Sequence, residues 1–284
     1  MSSTRHEVYR EIIERGLHED YLRLASYMHF TQGMSYFNSA LVILQRPGAA
    51  CVKTAHAWMR DHGRTVKAGV TPIVIMKIGG PVSFVYDISD TEGERAPVRL
   101  KNIMEYHAFT TPLGKLYNDL QKVVKAAGIY YAEAPMGSVM FGESQFCPEG
   151  YTVEYNGRRR TAYYSVVINS TANDSQKSSA IIHELAHIFC GHHPSVSKEY
   201  SKKMAIPLRR TVPDLNTMEY EAEKTVEYVS KMMGIEYDAD RYLNGYDISQ
   251  VDRSLSEVYI LYATQKLTAL MTDTGIDPHL VTED

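Results

Sequence analysis

Hydrophobic residues recur at helical spacing in several parts of the chain. The pattern predicts a first helix from Thr4, where Thr4-x-x-Glu7 is a capping box, towards Tyr27. Further apolar stretches of the same period end at a proline or a glycine, which are common stop signals. They predict helices over 34–45, 51–61, 111–127, 215–233 and 254–271, and one from a cap at Asn173 or Asp174 to about His192.

Runs of β-branched and aromatic residues between these helices predict short strands. The first pair, VTPIVIMKI and VSFVYDI, is separated by the turn formers Gly79-Gly80-Pro81. A second group consists of IYYAEA, SVMFG, YTVEY and TAYYSVVIN, and Asn156-Gly157 predicts a hairpin between its last two members. Residues 88–100 are polar and indicate a loop or linker. This order of elements predicts an α+β protein of two domains.

The composition is that of an ordinary globular protein. The 284 residues are 44% hydrophobic and 23% charged, which excludes collagen-like, low-complexity and wholly disordered chains. No run approaches the roughly 18 apolar residues of a membrane helix, so no membrane partner is expected. The first residues lack the apolar stretch of a signal peptide, and three cysteines are too few for a disulfide framework. A reducing cytoplasm is therefore the expected location.

The net charge of −4 is unevenly distributed along the chain. Residues 1–150 carry 16 Lys and Arg against 15 Asp and Glu, whereas residues 151–284 carry 14 against 19. Between residues 41 and 80 six basic residues accompany a single acid, and Trp58 lies among them. A groove for single-stranded nucleic acid needs cations for the phosphates and a flat ring for a base. The alternative, which the charge pattern alone favours, is a solvated helix face with one core tryptophan.

The strongest chemical signal is the HExxH motif formed by residues 183–187. Positions i and i+4 share one face of a helix, so His183 and His187 can bind one metal ion. Glu184 is then placed to take a proton from a water molecule at the metal and to pass it to a leaving amine. The flanking residues are apolar, as expected of a buried helix. The preceding strand, TAYYSVVIN, is expected at a sheet edge, where it could pair with an extended substrate.

The third metal ligand could be either a histidine or an acid. His193 lies at the spacing of the HExxHxxGxxH pattern, but Cys190 occupies the position of its glycine, and a non-glycine residue rarely turns a chain there. The other source is the predicted helix at 215–233. Glu219 and Glu223 share one face of it, so one could bind the metal while the other orients a ligating histidine. The spacing favours Glu219, with Glu223 as the alternate.

The C-terminal half resembles the ImmA/IrrE-type metallopeptidases. The resemblance rests on the HExxH motif and on Glu-Tyr-Glu-Ala-Glu at 219–223, which matches the glutamate-bearing stretch of the second helix in that family. It implies a gluzincin-like zincin domain at 101–284, which holds Zn²⁺ through His183, His187 and Glu219. Glu223 then contacts a ligating histidine. The segment between His187 and Glu219 is longer than the family pattern.

The N-terminal half resembles the ArdC N-terminal domain, a module that binds single-stranded DNA. The matching pieces follow the family order: NSALVILQRP at 38–47, then Trp58, GRTVKAG at 63–69 and VYDISDT at 85–91. The resemblance implies a DNA-binding domain at residues 1–100 and makes nucleic acid the favoured interpretation of the basic stretch. The residues expected to contact DNA are Lys53, Trp58, Arg60, Arg64 and Lys67.

Together, the two resemblances imply a cytoplasmic zinc metallo-endopeptidase. Its expected substrate is a helix-turn-helix repressor protein, and its expected activator is single-stranded DNA, so that cleavage induces a damage-response or defence operon. The second hypothesis is an antirestriction-type single-stranded DNA-binding protein of a mobile element, with a structural or vestigial zinc site. A Glu184→Gln variant separates the two, because it removes proteolysis without removing DNA binding.

Cys147 precedes a proline in the segment Ser-Gln-Phe-Cys-Pro-Glu, which is expected to be an extended loop ahead of the HExxH helix. A thiolate is a good zinc ligand. Cys147 could therefore occupy the open position of the metal and inhibit the enzyme. The alternative, a buried or idle thiol, is favoured by the sequence alone.

Overall fold

The structure is a computed structural model of the chain, with a mixed α and β fold. It describes residues 2–15, 21, 25, 28–29, 32–77, 80–93, 109, 115–155, 157–209 and 211–276. The chain divides into two compact units. Unit 1 consists of Met1–Glu105, Pro135–Phe141 and Asn169–Thr171, and unit 2 consists of Tyr106–Ala134, Gly142–Ile168 and Ala172–Asp284. The predicted domain boundary at residue 100 lies outside the described residues.

Unit 1 combines short helices with two small antiparallel sheets. The helices whose full bounds lie within the described residues are α1 (Ser2–Glu14), α2 (Tyr36–Gln45) and α3 (Ala55–His62). Its strands are β1 (Val52–Lys53), β2 (Thr65–Val66), β3 (Ile73–Ile75), β4 (Ser83–Asp87) and β5 (Thr91–Glu92). One sheet has the order β1-β4-β3, and β2 pairs with β5 in the other. The core lies between α2, α3 and the first sheet.

Two predictions for unit 1 differ from the structure in a similar way. The helix expected from residue 51 begins at Ala55, because Val52 pairs with Asp87 of β4 and the Thr54 side chain caps the helix by accepting from the Ala57 amide. The loop expected at 88–100 begins with a short 3₁₀ turn, Ile88–Asp90, and then β5. In both places pairing with a distant strand decided the conformation. Residues 94–100 lie outside the described part of the chain.

A buried carboxylate joins a later segment of the chain to unit 1. Asp87 is fully buried and accepts hydrogen bonds from the Ala50 amide at 3.2 Å and the Ser138 amide at 2.9 Å. The hydroxyl groups of Ser89 and Ser138 also donate to it. Burial raises its pKa, while the hydrogen bonds of Ser89 oppose that shift. Ser138 thus belongs to the same polar network as residues some fifty positions earlier.

Unit 2 is built from a three-stranded sheet and longer helices. Its strands are β6 (Tyr130–Ala134), β7 (Gly142–Tyr155) and β8 (Arg158–Asn169), of which the last residue belongs to unit 1. Its helices are α4 (Leu116–Ala126), α5 (Asp174–Phe189), α6 (Lys198–Met204), α7 (Leu215–Met232), α8 (Ala239–Leu243) and α9 (Arg253–Asp273). Among the described residues no helix is long and apolar enough to cross a membrane.

The sheet of unit 2 corrects the strand predictions. Its order is β6-β8-β7, so β8, which contains TAYYSVVIN, is the central strand and not an edge strand. YTVEY lies in one long strand, β7, whose pairing with β8 is irregular between Phe146 and Tyr151. Of the predicted strand SVMFG only Gly142 belongs to β7, and residues 138–141 form a turn and coil. The predicted hairpin is confirmed, since Tyr155 pairs with Arg158 across the turn that contains Gly157. The two edge strands of this sheet are therefore β6 and β7.

Helix α5 is the centre of unit 2. It starts at a capping box formed by Asn173 and Gln176, and from residue 177 onward nearly every side chain is buried. It packs against α4, α7, α9 and β7. The helix ends at Phe189, three residues earlier than predicted, and Gly191 turns the chain with a φ of +75°. A helix that is buried all round can hold polar side chains in fixed positions.

Candidate metal centre

Two helices of unit 2 bring His183, His187 and Glu219 together. The two histidines lie one turn apart on α5, and Glu219 lies on the facing helix α7. The Nε2 atoms of His183 and His187 are 2.9 Å apart. A carboxylate oxygen of Glu219 lies 3.6 Å from Nε2 of His183, and the other lies 3.8 Å from Nε2 of His187. The three side chains therefore direct their ligand atoms at one point.

These distances suit a four-coordinate zinc ion. With ligand bonds of about 2.0–2.1 Å, the edge of a coordination tetrahedron is about 3.3 Å. The three separations between ligand atoms lie on either side of this value. Two imidazoles and one carboxylate are also a common ligand set of catalytic zinc, which keeps a fourth position for water or substrate. The residues present thus fit the metal that the motif implies.

His183, the first of the candidate ligands, is held by an acid on the next helix. Its Nδ1 lies 2.8 Å from Oε1 of Glu223, which is completely buried. The other carboxylate oxygen of Glu223 accepts from the hydroxyl of Tyr237 at 2.7 Å. A histidine that donates through Nδ1 presents Nε2 to the metal. Glu223 therefore contacts the ring nitrogen of His183 that faces away from Glu219, where it could orient a metal-binding histidine.

The carboxylate of Glu219 is held by a tyrosine. The hydroxyl of Tyr242 donates to Oε2 of Glu219 at 2.8 Å and lies 2.9 Å from the hydroxyl of Tyr246. Burial, together with the charge of Glu219, raises the pKa of Tyr242 well above its usual value, so the phenol stays a neutral donor. Tyr242 comes from the short helix α8, which the sequence pattern did not predict. The hydroxyl of Tyr242 restricts the rotation of the Glu219 carboxylate, the third candidate ligand.

The site stabilises a positive charge on His183 but not on His187. Burial opposes a charge on His183, but the hydrogen bond and charge of Glu223, with the charges of Glu219 and Glu184, outweigh burial and raise the pKa of His183 to about 10. His187, buried and surrounded by other histidines, has a pKa well below its usual value. Three carboxyl groups thus lie around two imidazoles, which is a favourable environment for a divalent cation.

Glu184 lies against the first residue of β7. It is only 7% exposed, and burial raises its pKa to about 7. A Cβ atom placed on Gly142 would lie 2.9 Å from Cγ of Glu184 and 3.1 Å from its Oε1. Glycine at this position therefore makes room for the glutamate. A carboxyl group with a pKa close to neutral can both accept and return a proton, as general acid–base catalysis requires.

His193, the other ligand proposed from the sequence, points elsewhere. Its Nε2 lies 3.0 Å from the hydroxyl of Ser144 on β7. The left-handed turn falls on Gly191, while Cys190 keeps a helical φ of −76°. The glycine of the HExxHxxGxxH pattern is therefore displaced by one residue, and the geometry favours Glu219 as the third ligand.

Cys147 lies in strand β7, which corrects the expectation of an extended loop. Its thiol is partly exposed and donates to the carboxylate of Glu149 at 3.4 Å. Among the described residues, it is not one of the side chains whose ligand atoms converge. Its role as an inhibitory ligand stays a prediction without support from these contacts.

The expected DNA-contact residues of unit 1 largely bind the protein itself. Trp58 is fully buried in the core, and its Nε1 donates to the Tyr86 carbonyl at 2.8 Å. It is the core tryptophan that the charge pattern alone favours, and its ring cannot stack on a base as the resemblance implies. Lys53 and Arg60 both pair with Asp61. The remaining two cations contact backbone oxygens: Arg64 donates to Thr91 and Gly93, and Lys67 donates to Ser89.

A second polar cluster lies behind the metal centre. It contains Cys190, His192 and Glu221, whose potential ligand atoms are close together and buried. Nε2 of His192 lies 2.9 Å from Oε2 of Glu221, and the guanidinium of Arg209 pairs with the same carboxylate. The hydroxyl of Ser256 donates to its other oxygen at 2.8 Å. The negative charge of Glu221 is thus already compensated by a cation of the protein.

Sequence reasoning missed several residues that hold the centre in place. Their positions depend on contacts between elements far apart in the chain, and no local motif marks them. Glu221 was visible only as one acid among three, and His192 only as part of a histidine pair. The residues missed are Gly142, Arg209, Tyr237, Tyr242 and the connection of His192 to Glu221.

Comparison of the chain with known protein families, with curated proteins and with solved structures found no match.

Proposed function

We propose that this protein is a zinc-dependent metallo-endopeptidase. The observation that carries the proposal is the convergence of His183, His187 and Glu219, with the buried carboxyl group of Glu184 next to them. This is the arrangement of a metal-assisted hydrolase with a general base beside the metal. It also supports, for residues 101–284, the gluzincin-like zincin domain and the α+β class expected from the sequence.

The residues of the chain would divide the reaction between them. A zinc ion bound by the three ligands would polarise the substrate carbonyl and make water more acidic. Glu184 accepts the proton of the attacking water and donates it to the amine that leaves. Strand β7 lies at the edge of its sheet and begins beside Glu184, so its outer edge can pair with an extended substrate backbone.

The proposal is tested by comparing the wild-type protein, loaded with Zn²⁺, with a Glu184→Gln variant. The substrate is a library of proteome-derived peptides, and products are identified by mass spectrometry. We expect wild type to cut internal bonds and the variant to be slower by about 10²–10⁴-fold, with one metal ion bound in both. A Glu199→Gln variant, on the exposed first turn of α6, is the control and keeps full activity. Equal rates for wild type and Glu184→Gln contradict the proposal.

The resemblance to ImmA/IrrE-type enzymes extends the proposal to the substrate. We propose a helix-turn-helix repressor protein as the natural substrate and single-stranded DNA as the activator, in a cytoplasmic damage or defence response. The test mixes the purified protein, such a repressor encoded beside its gene, and short single-stranded DNA. Cleavage only with DNA supports both parts. Cleavage without DNA removes the sensor role, and an intact repressor removes the substrate.

The proposal that the first 100 residues bind DNA likewise rests on a resemblance, here to the ArdC N-terminal domain. Of the five expected contact residues, Arg60 and Lys67 have exposed side chains, whereas Trp58 has none of its surface exposed. We therefore expect a labelled oligonucleotide to bind through charge alone, with an affinity that falls steeply as salt is added. Binding that is insensitive to salt, or to Arg60→Ala combined with Lys67→Ala, argues against this surface.

A further inference from the structure

His192 connects a metal ligand to a buried ion pair. Its Nδ1 lies 2.8 Å from Nδ1 of His187, and its Nε2 lies 2.9 Å from Oε2 of Glu221. Glu221 is completely buried and His192 is nearly so. The result is a continuous chain of contacts from the metal centre through His192 and Glu221 to Arg209.

The direction of these hydrogen bonds follows from the charges at the far end. Glu221 accepts from Arg209 and from the hydroxyl of Ser256, so it is a carboxylate and can only accept. Nε2 of His192 must then carry the proton that it donates to Glu221. A neutral imidazole has one donor and one acceptor, so Nδ1 of His192 accepts. His187 must therefore donate through Nδ1, which leaves the lone pair of its Nε2 facing His183 and Glu219.

We propose that His192 is a positioning residue that fixes the tautomer and the ring orientation of His187 for metal binding. The proposal rests on the metal centre of the proposed function and deepens it. His183 has a carboxylate partner, Glu223, whereas His187 is held by a second imidazole with a carboxylate behind it. Outer partners of this kind set how strongly a ligating histidine binds its metal.

The backbone brings His192 back beneath His187. The amide of His192 donates to the carbonyl of His187, and the turn requires Gly191, where an added Cβ would lie 2.5 Å from the Pro207 carbonyl oxygen. Arg209 also donates to the Cys190 carbonyl at 2.8 Å, directly after α5. Arg209 comes from the long segment between His187 and Glu219. That segment thus supplies the cation that neutralises Glu221.

A second metal ion in the cluster of Cys190, His192 and Glu221 is the competing explanation. Two contacts argue against it. The guanidinium of Arg209 already lies at the carboxylate of Glu221. The thiol of Cys190 has a raised pKa, through burial first and the charge of Glu221 second, and it contacts the Thr225 hydroxyl and the Tyr259 carbonyl. A neutral thiol beside a guanidinium is a poor metal site.

The test is a titration of the full-length metal-free protein with Co²⁺, followed by visible absorption. We expect one equivalent to bind to wild type. His192→Leu removes the acceptor, and we expect it to bind Co²⁺ about 10–100-fold more weakly, with a changed d–d spectrum. His192→Asn keeps a side-chain oxygen near the position of Nδ1 and should recover most of the affinity. Thr225→Val, a buried change in the same cluster without contact to His187, is the control and keeps the wild-type spectrum.

The outcomes of this titration distinguish failure of the proposed function from failure of the role of His192. A wild-type protein that binds no Co²⁺ overturns the proposed function together with the inference. Wild-type binding with an unchanged affinity and spectrum in His192→Leu overturns the inference alone, as does binding of a second equivalent that is lost in Cys190→Ala. If His192→Leu does not fold by circular dichroism, Glu221→Gln takes its place, because an amide no longer fixes the proton on His192. Wild-type affinity and spectrum in a folded Glu221→Gln likewise overturn the inference.

Discussion

At the scale of single residues, the environment of Glu184 depends on a missing side chain. Cγ and Oε1 of Glu184 lie so close to Gly142 that a Cβ atom at this position would not fit. Its backbone is not in the left-handed region, so packing and not conformation requires glycine here. A catalytic carboxyl group works only when its position is maintained to a fraction of an ångström. The smallest residue in the chain therefore contributes directly to the site.

If the proposed function is correct, a Gly142→Ala variant should displace Glu184 without affecting the proposed metal ligands. We expect the rate of peptide hydrolysis to fall by about a hundredfold, while the zinc content stays at one equivalent. The measurement is kcat/KM on the best substrate from the peptide library. The control is Gly245→Ala, where an added Cβ makes an ordinary contact of 3.7 Å with a carbonyl. Equal rates in the two variants contradict this account.

Residue types at short spacing were readable from the sequence, and long-range contacts were not. The i, i+4 spacing places His183 beside His187 and Glu219 beside Glu223 on their helices, and the structure brings the two pairs together. Nothing local indicates that His192 folds back to His187. For Trp58 the charge pattern alone favours a core position, which is where the structure has it, whereas the resemblance to a DNA-binding module implies an exposed ring.

At the scale of elements, the point at which α5 ends determines which side chains reach the HExxH motif within it. The helix stops at Phe189, and the left-handed glycine that follows allows His192 to reach His187. The longest helices, α7 and α9, were predicted to within two residues of their ends, because amphipathic periodicity and capping are local signals. The place of β8 in the middle of its sheet could not be predicted, because strand order is set by pairing with distant segments.

A Gly191→Ala variant tests the importance of this turn for the fold. Alanine would have to adopt a φ of +75° and would also meet the Pro207 carbonyl, so we expect the free energy of unfolding to fall by about 2–4 kcal/mol. In the control, Gly128→Ala, the φ is +73° but nothing lies within 4 Å, and the cost should be about 1 kcal/mol. Urea unfolding measures both. An equal loss in the two variants would show that the contact with Pro207 is unimportant.

At the scale of the whole molecule, unit 1 is not continuous in sequence. It includes Pro135–Phe141 and Asn169–Thr171, which lie between strands of unit 2 along the chain. Ser138 donates to the buried Asp87 through both its amide and its hydroxyl. The sequence predicted a continuous domain at 1–100, because composition along the chain gives no sign of a segment that returns to an earlier unit.

A fragment that ends at Glu105 should therefore be unstable. It lacks the donors of Ser138, and a buried carboxylate without its hydrogen bonds costs about 1–3 kcal/mol for each lost partner. We expect poor dispersion of its amide NMR signals and no cooperative melting. A Ser138→Ala variant of the full chain loses the hydroxyl donor but keeps the amide donor, and it should still melt cooperatively. A folded short fragment would contradict the assignment of residues 135–141 to this unit.

Because two of the three thiols are buried, Cys147 is the thiol that a labelling reagent can reach in the native protein. Burial, together with Asp87, raises the pKa of Cys51 to about 12, and Cys190 is equally inaccessible. A maleimide dye added to the native protein should therefore attach to Cys147, which mass spectrometry of the labelled peptides can check. Cys147 lies on the strand that begins beside Glu184. Fluorescence from that position would report whether a peptide occupies the outer edge of the sheet, without any engineered cysteine.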